Sequence, residues 1–213
     1  MTTKEYFSFI VDQIHSTVVA TVDNQGLPVT CVIDMMYADE NGLYFLTAKG
    51  KNFYNRLISG KYLALSGMKG EDTMSRVAVS VRGKVREIGS DMLPLLFEKS
   101  PYMNEIYPNE KSRCALTVFH IYEGSGEWFD LSKKTIERDS FFFGINSDRA
   151  SGYYITDKCN GCKACLNICP QRCIDMISEK TMSLRLQAVI RQNNCLHCGN
   201  CKSVCPAGAV IKT

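Results

Sequence analysis

Cys159 to Pro170 read CNGCKACLNICP, and 36 residues further on Cys195 to Pro206 read CLHCGNCKSVCP. At that offset Cys159, Cys162, Cys165, Cys169 and Pro170 fall on Cys195, Cys198, Cys201, Cys205 and Pro206. Each run is therefore C-x2-C-x2-C-x3-C-P, an iron–sulfur signature. Three closely spaced thiolates wrap three corners of a cubane, and the fourth cysteine reaches the other cluster. The proline stops the turn after the fourth ligand, where a missing N–H is tolerated. A zinc site asks for two C-x-x-C pairs and has no use for a fourth cysteine followed by proline.

Working outward, the chain has 213 residues, enough for two domains of unequal size, and eleven cysteines. The cysteine number is odd, eight of them sit in the two runs, and MTTKEYFSFIVDQIH at residues 1–15 is amphipathic with acidic residues rather than an export signal. A disulfide framework is excluded in favour of metal ligation. No apolar run approaches a membrane span. With 45% hydrophobic and 22% charged residues, the expectation is a soluble, cytoplasmic protein. Residues 149–213 carry nine Lys and Arg against three Asp and Glu, a balance of +6, while residues 1–148 carry 16 against 19, or −3. Two dianionic clusters would bring the basic tail to about +2, so its charge reads as compensation for clusters rather than as a nucleic-acid surface.

On these motifs, residues from about 153 to 213 resemble a bacterial two-cluster [4Fe–4S] ferredoxin. The resemblance implies one cluster on Cys159, Cys162, Cys165 and Cys205, and a second on Cys195, Cys198, Cys201 and Cys169. That exchange of ligands ties the repeat into one α+β unit that needs iron to keep its fold. Cys173 falls opposite Ala209 in the repeat and reads as a small packing residue, with a ninth ligand as the alternative. His197 reads as a polar neighbour that tunes potential, and Cys31 and Cys114 as core residues in strand-like stretches.

The first 148 residues read as mostly strand. Thr2 and Glu5 have capping-box spacing before a helix with Tyr6, Ile10 and Ile14 on one face. STVVATV, LPVTCVIDMMYA, KYLALSGM, SRVAVSVRGKVREIG and CALTVFHIYEGSGEWFDL are strand segments, and Asn41-Gly42 marks a hairpin. Short helices are expected at NFYNRLIS, ending at Gly60, and between Asp91 and Ser100. An antiparallel barrel follows. No G-x-G-x-x-G follows a strand and no P-loop motif occurs, so a Rossmann domain is excluded.

In YFLTAKGKNFYNRL, a strand ends near Thr47, a loop carries Lys49 and Lys51, and a helix starts near Asn52. Backbone N–H groups, a hydroxyl and two ammonium groups make a candidate phosphate cradle, the alternative being solvated lysines in a turn. Together with Gly26-x-Pro28 and the order of elements, residues 5–145 resemble the pyridoxamine 5′-phosphate oxidase-like family of FMN-binding split barrels. The resemblance implies a homodimer with flavin at the interface. It implies that Thr47, Lys49, Lys51 and Asn52 hold the FMN phosphate and ribityl chain, and that Val32, Ile33 and Asp34 pass along the flavin ring. Trp128 and Arg138 have the spacing of the family's tryptophan and arginine that approach flavin from the second subunit. The alternative makes Trp128 a core or interface residue and Arg138 a surface charge. No arginine stands in VTCVIDMM, and no Arg-x-His element follows Arg138, so oxidation of pyridoxamine phosphate is not expected.

The sequence thus implies an FMN-binding split barrel at 1–148 and a two-cluster ferredoxin-like domain at 149–213, joined by the short connector at 145–154. The expected function is an iron–sulfur flavoprotein passing electrons between two [4Fe–4S] clusters and FMN, an oxidoreductase acting on a small molecule and served by a redox protein such as ferredoxin. No side chain stands out as a catalytic acid. The rival reading is a ferredoxin-like carrier whose barrel docks partners or dimerises, or holds haem or a deazaflavin in place of FMN.

Overall fold

The computed structural model describes residues 1–144, 152–178 and 186–212. The connector expected at 145–154 and the 148/149 boundary fall largely or wholly outside them. The described chain forms two compact units: residues 1–71, 77–128 and 141–144, and residues 72–76, 129–140, 152–178 and 186–212. Two short pieces of the N-terminal part, 72–76 and 129–140, thus belong with the second unit. No helix among the described residues is long and apolar enough to cross a membrane.

The N-terminal part opens with α1 (Thr3–Phe9), whose start is closed reciprocally by Thr2 and Glu5. The helix does not continue regularly. Residues Ile10–Ile14 form a π-helical turn that ends at His15, whose N–H reaches Ile10 O at 2.7 Å and whose φ is 62°. Tyr6, Phe7 and Ile10 are buried. One eight-stranded antiparallel sheet follows, in the order β2-β1-β5-β6-β7-β4-β3, with β8 paired to β7. The strands are β1 (Ser16–Val22), β2 (Pro28–Asp34), β3 (Tyr37–Asp39), β4 (Gly42–Ala48), β5 (Tyr62–Lys69), β6 (Val77–Gly89), β7 (Leu116–Asp130) and β8 (Glu137–Phe143). Helix α2 (Asn52–Gly60) links β4 to β5; it runs through Gly60 and Lys61 supplies the left-handed cap.

Alternation sorts the sheet's side chains. Val19, Leu43, Phe45, Leu63, Leu65, Val79, Val81, Phe119 and Ile121 fill the barrel interior with Phe53 and Leu57 of α2. On the other face, Tyr44, Leu116 and Val118 pack with Leu93, Leu96, Phe97 and Met103, from α3 (Leu93–Lys99) and α4 (Met103–Ile106). A third short helix, α5 (Glu110–Arg113), is capped by Asn109. Cys114 is its C-cap and is exposed, which corrects the expectation of a core strand residue: the strand starts only at Leu116. Cys31 lies in β2 as expected, half-buried against the barrel core. A Cβ on Gly83 would lie 2.5 Å from Glu123 O, and one on Gly124 2.2 Å from Arg82 O. Only glycine lets β6 and β7 approach this closely, and that approach curves the sheet.

In the second unit, β9 (Tyr153–Ile155) pairs with β12 (Val210–Lys212), and β10 (Ile174–Ser178) with β11 (Leu186–Ile190). The helices α6 (Ala164–Ile168) and α7 (Asn200–Ser203) each follow a left-handed residue, Lys163 and Gly199. The 36-residue repeat is therefore a backbone repeat. Positive φ occurs at Gly161 and His197, at Lys163 and Gly199, and at Arg172 and Gly208, with one glycine in every pair.

Candidate functional site

The repeat also governs how the thiols are presented. Cys159, Cys165, Cys195 and Cys201 are buried, Cys162 and Cys198 exposed, and Cys169 and Cys205 intermediate, so equivalent cysteines match in exposure. Each half turns the same way: Cys169 N–H bonds Leu166 O and Arg172 N–H bonds Cys169 O, as Cys205 N–H bonds Lys202 O and Gly208 N–H bonds Cys205 O. This turn carries the fourth cysteine of each run away from its first three. One cavity is lined by Cys159, Cys162, Cys165 and Cys205, with Ile155, Ala188 and Val210. The other is lined by Cys169, Cys195, Cys198 and Cys201, with Ile174 and Ile190. These are the two ligand sets that the resemblance implies.

The donor chemistry fits two four-iron clusters: four thiols around an apolar cavity, with backbone donors aimed at sulfur. His197 N–H lies 3.4 Å from Cys195 Sγ, and Ala209 N–H lies 3.3 Å from Cys205 Sγ. Burial raises the Cys165 and Cys201 thiols, so iron must displace protons as it binds. Among the described residues no three metal-ligating side chains close on a single-ion centre; the cavities offer eight thiols in two sets rather than a finished tetrahedral site. Cys173 is 2% exposed, lines the second cavity, and stands 3.5 Å from Cys169 Sγ; its repeat counterpart Ala209 lines the first. Burial, with Cys169 next, pushes its thiol up to about 12. His197 faces Tyr153 edge to face at 6.4 Å.

In the barrel, Thr47 is 3% exposed and its Oγ1 is buried without a hydrogen-bond partner among the described residues. Lys49 does not stand free: its Nζ is 3.8 Å from Glu87 Oε1, which also accepts from Thr117 at 2.7 Å, while Tyr54 donates to Oε2 at 3.1 Å. Lys51 occupies the N-cap of α2 without a side-chain cap, and Asn52 opens the helix. Arg56, which sequence reasoning missed, lies one turn beyond Asn52 and donates from Nε to Thr21 Oγ1 at 2.8 Å. Burial raises the Cys31 thiol, and the charges of Arg56 and Lys51 oppose that rise. The signal for Arg56 was its i+4 spacing from Asn52 on the helix that opens the cradle.

Val32 is 67% exposed, while Ile33 faces the barrel core. Asp34 is held by Ser16 Oγ at 2.6 Å, Tyr102 OH at 2.7 Å and His15 Nε2 at 3.4 Å. Around Val32 lies an uncovered sheet face of small and apolar side chains. Val32, Val18, Ser66 and Ser80 form one cross-strand row, and Thr30, Ala20, Ala64 and Arg82 the next. Trp128 is 5% exposed, with Tyr6 at 5.3 Å and Phe9 at 4.8 Å, so in this chain its ring is a core element. Trp128 belongs to the first unit and Arg138, in β8, to the second.

Residues 158–209 match the family model of the 4Fe-4S dicluster domain. An uncharacterised ferredoxin of Methanocaldococcus jannaschii is 37% identical over 54 residues, 24% of this chain and 77% of that protein. A NimC/NimA family protein of Clostridium acetobutylicum superposes with a TM-score of 0.53 at 16% identity, covering 65% of this chain and 92% of that one. A heme binding protein from Mycobacterium smegmatis superposes at 0.51 with 12% identity, covering 65% of this chain and 57% of the other. At such identities the likeness is one of fold, and that fold is the split barrel expected from the sequence.

Proposed function

Because the chain belongs, through residues 158–209, to the 4Fe-4S dicluster ferredoxins, we propose that it is an iron–sulfur flavoprotein whose two-cluster segment exchanges electrons with FMN held by the split barrel, as an oxidoreductase of a small molecule. The observation that carries the FMN reading is the start of α2. There the unpartnered Thr47 hydroxyl, the uncapped helix N-terminus and the cations Lys51 and Arg56 occur together.

Lys51 and Arg56 would balance a phosphate's charge, Asn52 and the first N–H groups of α2 would bind its oxygens, and Thr47 would reach the adjoining chain. Lys49, already beside Glu87, contributes less. When bound, the clusters supply single electrons and FMN supplies the means of pooling two for a substrate. Val18, Ala20, Val32 and Ala64 present the apolar face on which a second copy would close, keeping water from a ring laid along β2. Haem is the weaker reading: both imidazoles of the barrel have Nε2 engaged, His120 with Asn41 O and His15 with Tyr102.

Protein purified without air, its spectrum and its acid-released flavin test the proposal. About one FMN and about eight iron atoms per chain are expected. Loss of one charged hydrogen bond in Lys51→Ala or Arg56→Ala should weaken FMN retention about 10-fold or more. Full iron without any flavin would leave a ferredoxin-like carrier and end the flavoprotein reading.

A further inference from the structure

The two halves of the cysteine repeat present their sulfurs alike, yet they differ at a position that faces a cavity. Leu166 N–H lies beside the Cys165 sulfur and Lys202 N–H beside that of Cys201, so the third cysteine of each run meets the same kind of donor. At the fourth cysteine the halves part. In the first cavity Ala209 stands next to Cys205 and offers its backbone N–H to Cys205 Sγ at 3.3 Å. Its counterpart in the second cavity, Cys173, brings a side chain: Cys173 Sγ lies 3.5 Å from Cys169 Sγ.

The backbone fixes Cys173 in that place. Arg191 N–H bonds Cys173 O at 2.8 Å, and the Arg191 guanidinium donates to Arg172 O at 2.8 Å. The thiol is 2% exposed, in the core it shares with Ile174 and Ile190. Cys169, Cys195, Cys198 and Cys201 already supply four ligands to the second cavity, so Cys173 is left as a thiol. A ligating cysteine is a thiolate and carries no proton. With iron bound, the one proton of the pair is therefore on Cys173, and its S–H donates toward Cys169 rather than the reverse. Thiols are weak donors, but this acceptor is charged. A donor to a ligand sulfur stabilises the reduced cluster, the more negative one, more than the oxidised cluster.

We propose that Cys173 tunes the second cluster: its S–H donates to the Cys169 sulfur and raises that cluster's reduction potential, a side-chain contribution that Ala209 cannot make to the first. Cys173 acts through Cys169 and is not itself a ligand. The inference rests on the two-cluster part of the functional reading and is independent of FMN.

Redox titration of the full protein purified without air, followed by paramagnetic resonance, tests it. In Cys173→Ala, which copies the first half of the repeat, half of the cluster signal should titrate at a lower potential. At a given potential that cluster should be about 5-fold less reduced, or ~40 mV for one electron. The other half of the signal should stay in place, with about eight iron atoms per chain retained. Cys173→Ser keeps a donor and should restore most of the loss. A packing role alone would admit water to the cavity and move the midpoint up. An unchanged midpoint, an upward shift, or equal shifts of both halves of the signal overturns the proposal. Loss of a cluster in Cys173→Ala would make Cys173 a ligand and overturns it as well. Unaltered protein that holds about four iron atoms or fewer overturns the two-cluster reading and this inference together.

Discussion

If each cavity holds one cluster, iron content should follow the cavities and not the order of cysteines along the chain. The decisive perturbation is a pair of double variants. Cys159 and Cys205 lie 46 residues apart but line one cavity, whereas Cys159 and Cys169 share a run and line different cavities. Each single variant, Cys159→Ala, Cys205→Ser or Cys169→Ser, removes one of four thiols and should cost one cluster, taking iron from about eight to about four per chain. Effects within one site do not add, whereas effects at separate sites do. Cys159→Ala with Cys205→Ser should therefore stay near four, and Cys159→Ala with Cys169→Ser should fall toward zero. Iron and acid-labile sulfide per chain, measured on protein purified without air, give the count. Paramagnetic resonance of the reduced protein gives a second reading, since the coupling between two reduced clusters should vanish in every single variant. The opposite pattern, about four iron in Cys159→Ala/Cys169→Ser and none in Cys159→Ala/Cys205→Ser, would mean that each run holds its own cluster. The cavity assignment would then be wrong.

Burial holds the pKa of His120 below its ordinary 6.5, with the Arg86 charge adding to that and the Asn41 carbonyl opposing it. The folded barrel then binds this proton less tightly than the unfolded chain, so His120's contribution is complete above about pH 6.5 and lost as the pH falls below it. The urea midpoint of the barrel should drop over that range, and less so in His120→Phe, which keeps the stack on Tyr44. If two copies close on the uncovered sheet face as proposed, Val18→Lys places a charge there and should leave a monomer in sedimentation where the unaltered protein is a dimer; a dimer in both would show that copies meet elsewhere. Phe141→Ala removes the ring stacked on Tyr6 at 4.4 Å and should cost about 3–5 kcal/mol, read from denaturation followed by Trp128 fluorescence.

Features carried by local spacing were legible in the sequence. Apolar and β-branched runs marked β1, β4 and β5, the Thr2–Glu5 box marked α1, and the cysteine register marked two runs of four thiols, which the ferredoxin resemblance pairs into two ligand sets. At the hairpin the chemistry was legible and the geometry was not: the turn residues are Glu40 and Asn41, and Gly42 opens β4 because a Cβ there would lie 1.9 Å from Ile121 O. What stayed hidden depends on residues brought together from far apart. Tyr102 reaches Asp34 across 68 positions, and Glu87 meets Lys49 across 38, so neither network has a local signature. Trp128 could not be told from an interface residue because its neighbours Tyr6 and Phe9 come from the opening helical segment. The left-handed residues Lys163, Arg172 and His197 were masked by carrying side chains, although glycine at each repeat partner marks the same backbone position.

The exchange of fourth cysteines also sets a timetable for synthesis. The second cavity gains its last thiol with Cys201 and the first with Cys205, only four residues later. At ~5–20 residues per second both become complete within about a second of each other. The last described barrel strand ends at Phe143, well before either. A ribosome making this chain therefore carries a finished barrel sequence with no fillable iron site, and the two clusters become loadable almost together.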